Sequence, residues 1–426
     1  MMNLWKEALG INYTKIGKYI REEEFMENKK VSISNVLPRY RLPKSYLSDI
    51  EKSPKTERQY LGQPDMIKTN TGRLITAYPI GHGKGPLAMK ISDDNGETWI
   101  EKTDIPADWA RSQETPTIYT LKLENGQERL LLITGCPGWG DGTTGWNTSY
   151  SDDNGETWTE YKHWYSTFSD GTVNKVIVAM ASLVQLKDKE GNLIPKWLGV
   201  YHGIEFVNYK TYLTFDMEGN EVWSEPVPYL SVYREIEESH QMCEIGMFRS
   251  PDGKCIVGLA RSQSHQHLST MIYSEDEGET FSKPVELPGS LAGERHKAFY
   301  DPISGKLLVT FREIQYDLNQ DGMITQGDWI CGDWGLWVGT YEQLMNLEDG
   351  EYCVTLEEDW TQSTFSGDTG YSGVVTLEDG TIIMDSYGHW DREFSETMGY
   401  GVTTDLCYIR QAKFKLAEIE EIFRKK

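Results

Sequence analysis

The sequence contains no apolar run approaching the roughly 20 residues that a membrane-spanning helix needs. Its start, MMNLWKEALGINYTKIGKYIREEEF, also lacks the apolar centre of a secretory signal. The expectation is a cytoplasmic protein, or a secreted one whose signal has been removed. Positive charge is scarce. Lys and Arg total 42 against 66 Asp and Glu, a formal net charge of −24, which argues against nucleic acid and against an anionic membrane surface as partners. A few arginines gathered in one cleft can still hold a small anion. Cysteine is scarce too. The six, Cys136, Cys243, Cys255, Cys331, Cys353 and Cys407, show no C-x-x-C and no zinc-ligand spacing. They are too few for a disulfide framework and are expected to be mostly buried thiols, with a Cys243–Cys255 pairing across a hairpin left open.

Aromatics, by contrast, are plentiful, with 14 Trp and 24 Tyr. Such side chains can grip sugars, but most are expected to be core. Near the start, Leu4, Ala8, Ile11, Ile16 and Ile20 keep a loose helical spacing, and VLPRYRLPKSYL then reads as extended chain. Residues 1–58 are therefore expected to form a helical and extended N-terminal extension packed on the main domain, residues 59–426. There the pattern changes to short β-runs: GRLITAYPI, RLLLITG, KWLGVYHG, KCIVGLAR, GKLLVTFR and GTIIMDSYG. These apolar runs number six.

The chain also repeats itself. SDDNGETW begins at Ser92 and again at Ser151, SEDEGETF begins at Ser274, and TFDMEGNEVW from Thr214 is a worn copy. The period is about sixty residues, with further copies expected around 340 and 405, and four short strands per repeat make a propeller blade. In each copy an aspartate (Asp94, Asp153, Asp276) can accept from the turn backbone, and a glycine (Gly96, Gly155, Gly278) supplies an unusual backbone angle. Trp99, Trp158 and Phe281 plug the sheet. The motif is a hairpin staple, not an active site. The fold expected is all-β, a six-bladed β-propeller with a short helical N-terminal extension and a short C-terminal helix.

These repeats resemble the Asp boxes of the sialidase (neuraminidase) superfamily, over roughly residues 59–415. The resemblance implies an exo-acting glycoside hydrolase that releases terminal sialic acid from a glycan or sialoside. Sialic acid carries a carboxylate on its anomeric carbon, so the chemistry calls for arginines and favours a neutral tyrosine nucleophile over a carboxylate. A glutamate must then take the tyrosine proton, since the phenol pKa is about 10. GYSGVVTLEDG resembles the family's nucleophile segment and implies Tyr371. CEIGMFRSPDGKCIVGLAR implies Glu244 as its partner and Arg261 as a carboxylate-binding arginine. Arg312, at the matching place in LLVTFR, is the second arginine, with Arg295 its competitor.

The sequence departs from that family pattern in the first blade. YLGQPDM stands where an Arg-Ile-Pro motif is expected, and GHGKGPLAMKI has no aspartate where the acid/base residue belongs. Asp65 or His82 can take over proton transfer, and Lys84 can stand in for an arginine. Glu114, His202 and His240 fall where blades open toward the axis, with Glu114 and His240 assigned to substrate binding. Asp65, Glu114 and Glu244 would equally suit a two-carboxylate glycosidase for another sugar, and a carbohydrate-binding propeller without catalysis is a third reading. No cofactor is expected for the chemistry. A structural calcium is, because DLNQDGMITQGD has EF-hand spacing: Asp317, Asn319, Asp321, the Met323 carbonyl, Thr325 and Asp328, with Gly322 at the turn. Oligomeric state is left open.

Overall fold

The computed structural model describes residues 37–53, 60–81, 86–135, 144–264, 266–315, 330–359, 369–390 and 407–425. Six antiparallel sheets form a ring, a six-bladed β-propeller. Blade one comprises Asp65–Lys68, Leu74–Pro79, Leu87–Ser92 and Ile100–Glu101. Blade two comprises Gln113–Lys122, Glu128–Gly135, Trp146–Ser151 and Lys162–Trp164. Blade three is built from Val176–Lys187, Leu193–Gly203, Asn208–Phe215 and Glu221–Trp223, and blade four from Met242–Arg249, Ile256–Ser262, Thr270–Ser274 and Val285–Glu286. Gly293–Tyr300, Leu307–Gln315, Ile330–Gly339 and Tyr352–Glu357 make blade five.

Blade six closes the ring. Val374–Thr376, Thr381–Gly388 and Tyr408–Lys415 take their fourth strand from the start of the chain, Leu47–Lys52, which pairs antiparallel with Tyr408–Lys415. Arg39–Arg41 adds in parallel to the outer edge of blade five. The extended part of the expected N-terminal extension is thus integral to two blades, and the boundary at residue 58 moves. Its helical part lies outside the described residues. The chain ends in a helix, Leu416–Arg424, whose Leu416, Ile419 and Phe423 pack under blades five and six. Among the described residues no helix is long and apolar enough to cross a membrane.

Each of the six apolar runs is the second strand of a blade. That strand has hydrogen-bonded neighbours on both edges and adjacent blades on both faces, so it can be apolar on every side. Thr381–Gly388 is buried throughout. Between blades two and three, Leu131, Ile133 and Trp146 meet Met180, Trp197, Leu213 and Trp223. Trp109, Trp146, Trp334 and Trp337 are fully buried. Cys243, Cys255, Cys353 and Cys407 are buried free thiols, so the Cys243–Cys255 pairing does not form.

The Asp boxes join third to fourth strands, at the end of the ring opposite the start of the inner strands. In the first, Thr98 N donates to Asp94 Oδ1 at 2.9 Å and Gly96 N donates to Ser92 Oγ at 2.9 Å. The same bonds recur at Asp153 and Asp276. Bonding from Thr98 brings the exposed Asp94 carboxyl down to about 2. Gly155 has φ +80°, and a Cβ there would sit 2.6 Å from Ile75 Cδ1 of the preceding blade, so the box also sets how closely blades approach. The worn copy keeps the staple, with Asn220 N donating to Asp216 Oδ1 at 2.8 Å. The copy expected near 340 is absent. A capped helix, Tyr341–Met345, makes that third-to-fourth connection instead, closed by a Thr340–Gln343 capping box. The copy expected near 405 lies outside the described residues.

Candidate active site

The pairing register of blade four aims Glu244 at the axis. Cys243 pairs with Arg261, but Gly246 pairs with Leu259, so the inner strand holds one extra residue. Glu244 sits at this bulge with φ +50°. A β-bulge re-aims a side chain, and a glutamate held in the left-handed region costs about 1–2 kcal/mol unless its contacts offset it. Blade five repeats the device. Glu294 pairs with Arg312, Lys297 pairs with Thr310, and Arg295 takes the bulged position with φ +56°. Gly246 makes this possible, since a Cβ there would lie 1.9 Å from the His296 carbonyl oxygen.

Tyr371 arrives from blade six. Gly370, with φ +87°, packs so closely that a Cβ would lie 2.4 Å from Arg312 Cα. Its N–H donates to Ser386 Oγ, which in turn donates to the Tyr371 carbonyl. The Gly-Tyr-Ser segment is thereby fixed, and the buried Tyr371 hydroxyl donates to Glu244 Oε1 at 2.5 Å. Arg261 Nη1 donates to Tyr371 Oη at 3.0 Å and to Glu244 Oε2 at 3.3 Å. Arg312 lies with its guanidinium carbon 5.1 Å from the Tyr371 ring centre, and Arg295 at 5.6 Å.

Glu294, which the sequence reading did not single out, binds two of these arginines. Its Oε1 is 3.1 Å from Arg261 Nη2 and its Oε2 2.6 Å from Arg312 Nη1. Arg312 also donates to the Thr369 carbonyl and to Tyr387 Oη. Among the described residues, three guanidiniums thus surround one tyrosine, against two carboxylates. Arg295 Nη1 and Arg261 Nε are buried with no partner among the described residues. Buried charged nitrogens normally have partners, so these two are short of acceptors among the described residues.

The electrostatics divide the roles. Burial pushes Glu244 up, but Arg261 and Arg295 outweigh it and hold the carboxyl below its ordinary range. Burial, with Glu244 adding to it, pushes the Tyr371 phenol well above its ordinary value. Burial likewise takes His202 down to about 4, so this imidazole beside Glu244 is neutral at pH 7. The pair is therefore a neutral phenol on an ionised acceptor.

The other candidates fall elsewhere. Asp65 accepts from Met66 N at 3.0 Å and Ile118 N at 3.1 Å, and is ion-paired with Lys297. It ties inner strands of blades one, two and five together and touches none of the Tyr371 group, because its place at the start of the first inner strand has no bulge to turn it there. His240 also stands apart. It ends the helix Arg234–His240, and the chain reverses at Gln241 (φ +51°) before Glu244, so its ring meets His267 and Glu286 instead of substrate-side groups. The side chain of Glu114 and the residues His82 and Lys84 lie outside the described residues. So do Asp317, Asn319, Asp321, Met323, Thr325 and Asp328, between the second and third strands of blade five. A groove of about 630 Å³ between blades five and six, lined by Arg41, Glu358, Trp390 and Arg410 among others, shares no residue with the cluster.

Comparison with known proteins agrees with this architecture. The BNR repeat-like domain family matches residues 110–313. A sialidase of Paraclostridium sordellii is 24% identical over 304 residues, covering 68% of this chain and 59% of that protein, so the chain spans less than two thirds of that relative's length. Among solved structures, a protein of unknown function from Dyadobacter fermentans gives a TM-score of 0.54 at 15% identity, over 86% of this chain and 99% of that one. The intramolecular trans-sialidase of Ruminococcus gnavus gives 0.53 at 14%, over 87% and 98%. The NanB sialidase of Streptococcus pneumoniae gives 0.54 at 13%, over 87% and 71%. Fold and repeat turns define an Asp-box propeller. Part of the chain is thus similar in sequence to the BNR repeat-like domain family and to a sialidase, and its fold is similar to that of solved sialidases.

Proposed function

We propose that this chain is an exo-acting glycoside hydrolase that releases a terminal sialic acid, with Tyr371 as nucleophile and Glu244 as its base. The observation that carries the reading is the 2.5 Å Tyr371–Glu244 hydrogen bond set among Arg261, Arg295 and Arg312. In the proposed first step Tyr371 Oη bonds to the anomeric carbon, the glycosidic C–O bond breaks, and the phenol proton passes to Glu244. Water then cleaves the glycosyl-tyrosine, its proton going to the group that protonated the leaving oxygen, and Glu244 returns its proton to the Tyr371 oxygen, so configuration is retained. The arginines would bind the sugar carboxylate bidentately. Arg295 would supply the guanidinium that the first blade lacks. Protonation of the leaving oxygen falls to His82 in this reading, because Asp65 already holds three partners.

A panel of fluorogenic glycosides tests the substrate class, since an activated leaving group needs little protonation even if the acid is weak. Sialic acid is expected from the sialoside, with no release from neutral pyranosides. Turnover of a neutral sugar would favour the paired-carboxylate reading, and binding without turnover would favour a carbohydrate-binding propeller. For the loop Asp317–Asp328 we propose calcium, on its spacing alone. Calcium should raise the melting temperature of the wild type and not of Asp321→Ala; equal responses would reduce the motif to chance.

A further inference from the structure

Outside the tyrosine cluster, three potential donors converge at the outer part of blade four, on the same end of the ring as Arg261. They come from three separate segments. His240 ends the helix Arg234–His240, His267 precedes the strand Thr270–Ser274, and Glu286 lies on the edge strand Val285–Glu286, where it pairs with Thr270. One donor atom from each lies within 4.8 Å of the others. His240 Nε2 is 3.2 Å from Glu286 Oε1, and His267 Nδ1 is 3.1 Å from the same oxygen. The two imidazole rings stack with centroids 3.9 Å apart.

The protonation of His240 follows from its other nitrogen. His240 Nδ1 lies 3.0 Å from the Ile236 carbonyl oxygen. A carbonyl can only accept, so Nδ1 carries the proton and Nε2 presents a lone pair. That lone pair faces a carboxylate oxygen. Two acceptors at this separation repel unless a cation lies between them, either a second proton on the imidazole or a metal ion. The two nitrogen–oxygen separations, 3.2 and 3.1 Å, fit a metal. Bonds of about 2.0–2.1 Å in a tetrahedral site put neighbouring donors about 3.3 Å apart. A carbonyl on the far nitrogen is also the orienting contact that metal-bound histidines use. The donor set of two imidazoles and one carboxylate suits zinc-class ions and not calcium or magnesium, which take oxygen.

We propose that His240, His267 and Glu286 form a binding site for a divalent transition metal of the zinc class, separate from the tyrosine cluster. The two histidine side chains are nearly buried and Glu286 is half exposed, which leaves an approach from solvent. The ion would brace the stretch behind the reacting groups. Ser262 Oγ donates to the His240 carbonyl at 2.9 Å and Gln263 N to the Gln241 carbonyl at 3.3 Å, so the helix end and the segment following Arg261 are already joined there.

The test uses the full chain, stripped with a chelator and titrated with zinc against a chromophoric competitor. Wild type should bind about one equivalent more tightly than Glu286→Gln and His267→Gln do, by at least about 10-fold. Cobalt should give the intense visible bands of a tetrahedral site in wild type, and these should vanish in Glu286→Gln. Glu286 is exposed on an edge strand, so that variant should keep the metal-free melting temperature, which separates site loss from misfolding. Equal zinc binding by wild type and both variants would overturn the proposal. So would wild-type affinity no better than millimolar, which would leave a proton-bridged His–Glu–His cluster.

Discussion

Tyr371→Phe is expected to lower kcat/KM on a fluorogenic sialoside by at least about 10³-fold while leaving the melting temperature nearly unchanged. The substitution removes only the hydroxyl, which donates to Glu244 and accepts from Arg261. Ring packing against Tyr387 and under Arg295 and Arg312 persists, and Arg261 still pairs with Glu244. Glu244→Gln keeps the shape but cannot take the proton, and should cost about 10²–10⁴-fold. The pH profile checks the same assignment. Glu244 is held below the ordinary carboxylate range by Arg261 and Arg295 acting against burial, so its acid limb in kcat/KM should fall below that range, and Glu244→Gln should abolish the limb. The depressed carboxyl also means that its contribution to stability is present above its unfolded value and lost as pH falls through the folded one. Burial keeps Tyr371 a phenol, so no gain in rate is expected on the alkaline side near neutrality. Wild-type-like turnover by Tyr371→Phe would remove Tyr371 from the mechanism.

The propeller was legible because its signals are local. Each Asp box closes within its own turn, so Asp94, Asp153 and Asp276 announce a hairpin whatever lies around them. The second strands announce themselves because burial on all sides leaves uninterrupted apolar runs. The ring closure was not legible for the opposite reason. Leu47–Lys52 has one face in solvent and reads as mixed polarity, and its partner Tyr408–Lys415 is more than 350 positions away in the chain. Within the site, Tyr371, Glu244, Arg261 and Arg312 were named from short motifs, and the structure brings these four together. Glu294 was missed and Arg295 left as a competitor because their direction depends on a bulge, which shifts a strand by one residue and shows only in the pairing register. The signal that could have found them is the parallel between CEIG and GERH, each a glutamate-bearing start of an inner strand before a run ending in Arg. His240 was misplaced by the same kind of gap, since four residues of sequence before Glu244 include a helix end and a left-handed residue.

Glu294→Gln should destabilise the fold by about 3–5 kcal/mol, more than any exposed ion-pair loss in this chain. Glu294 is almost completely buried and bonds Arg261 and Arg312 through separate oxygens. The amide can still accept one hydrogen bond, but among the described residues it removes one of two negative charges set against three guanidiniums. A buried pair broken on one side costs more than the pair contributed, because the remaining charge stays desolvated. The same imbalance should favour an anionic ligand. In the proposed function, Glu294 competes with the sugar carboxylate for Arg261 and Arg312; in the variant that competition is removed, while Arg261 keeps its pairing with Glu244. A sialic acid analogue should therefore raise the melting temperature of Glu294→Gln by more than it raises that of wild type at the same concentration, by mass action on the folded state. The neutral alcohol corresponding to that carboxylate should show no such excess. Thermal melts of both proteins with the acid and with the alcohol make the comparison. A variant as stable as wild type would mean that Glu294 does not balance the cluster. Equal shifts from acid and alcohol would mean that the three arginines are not the carboxylate site.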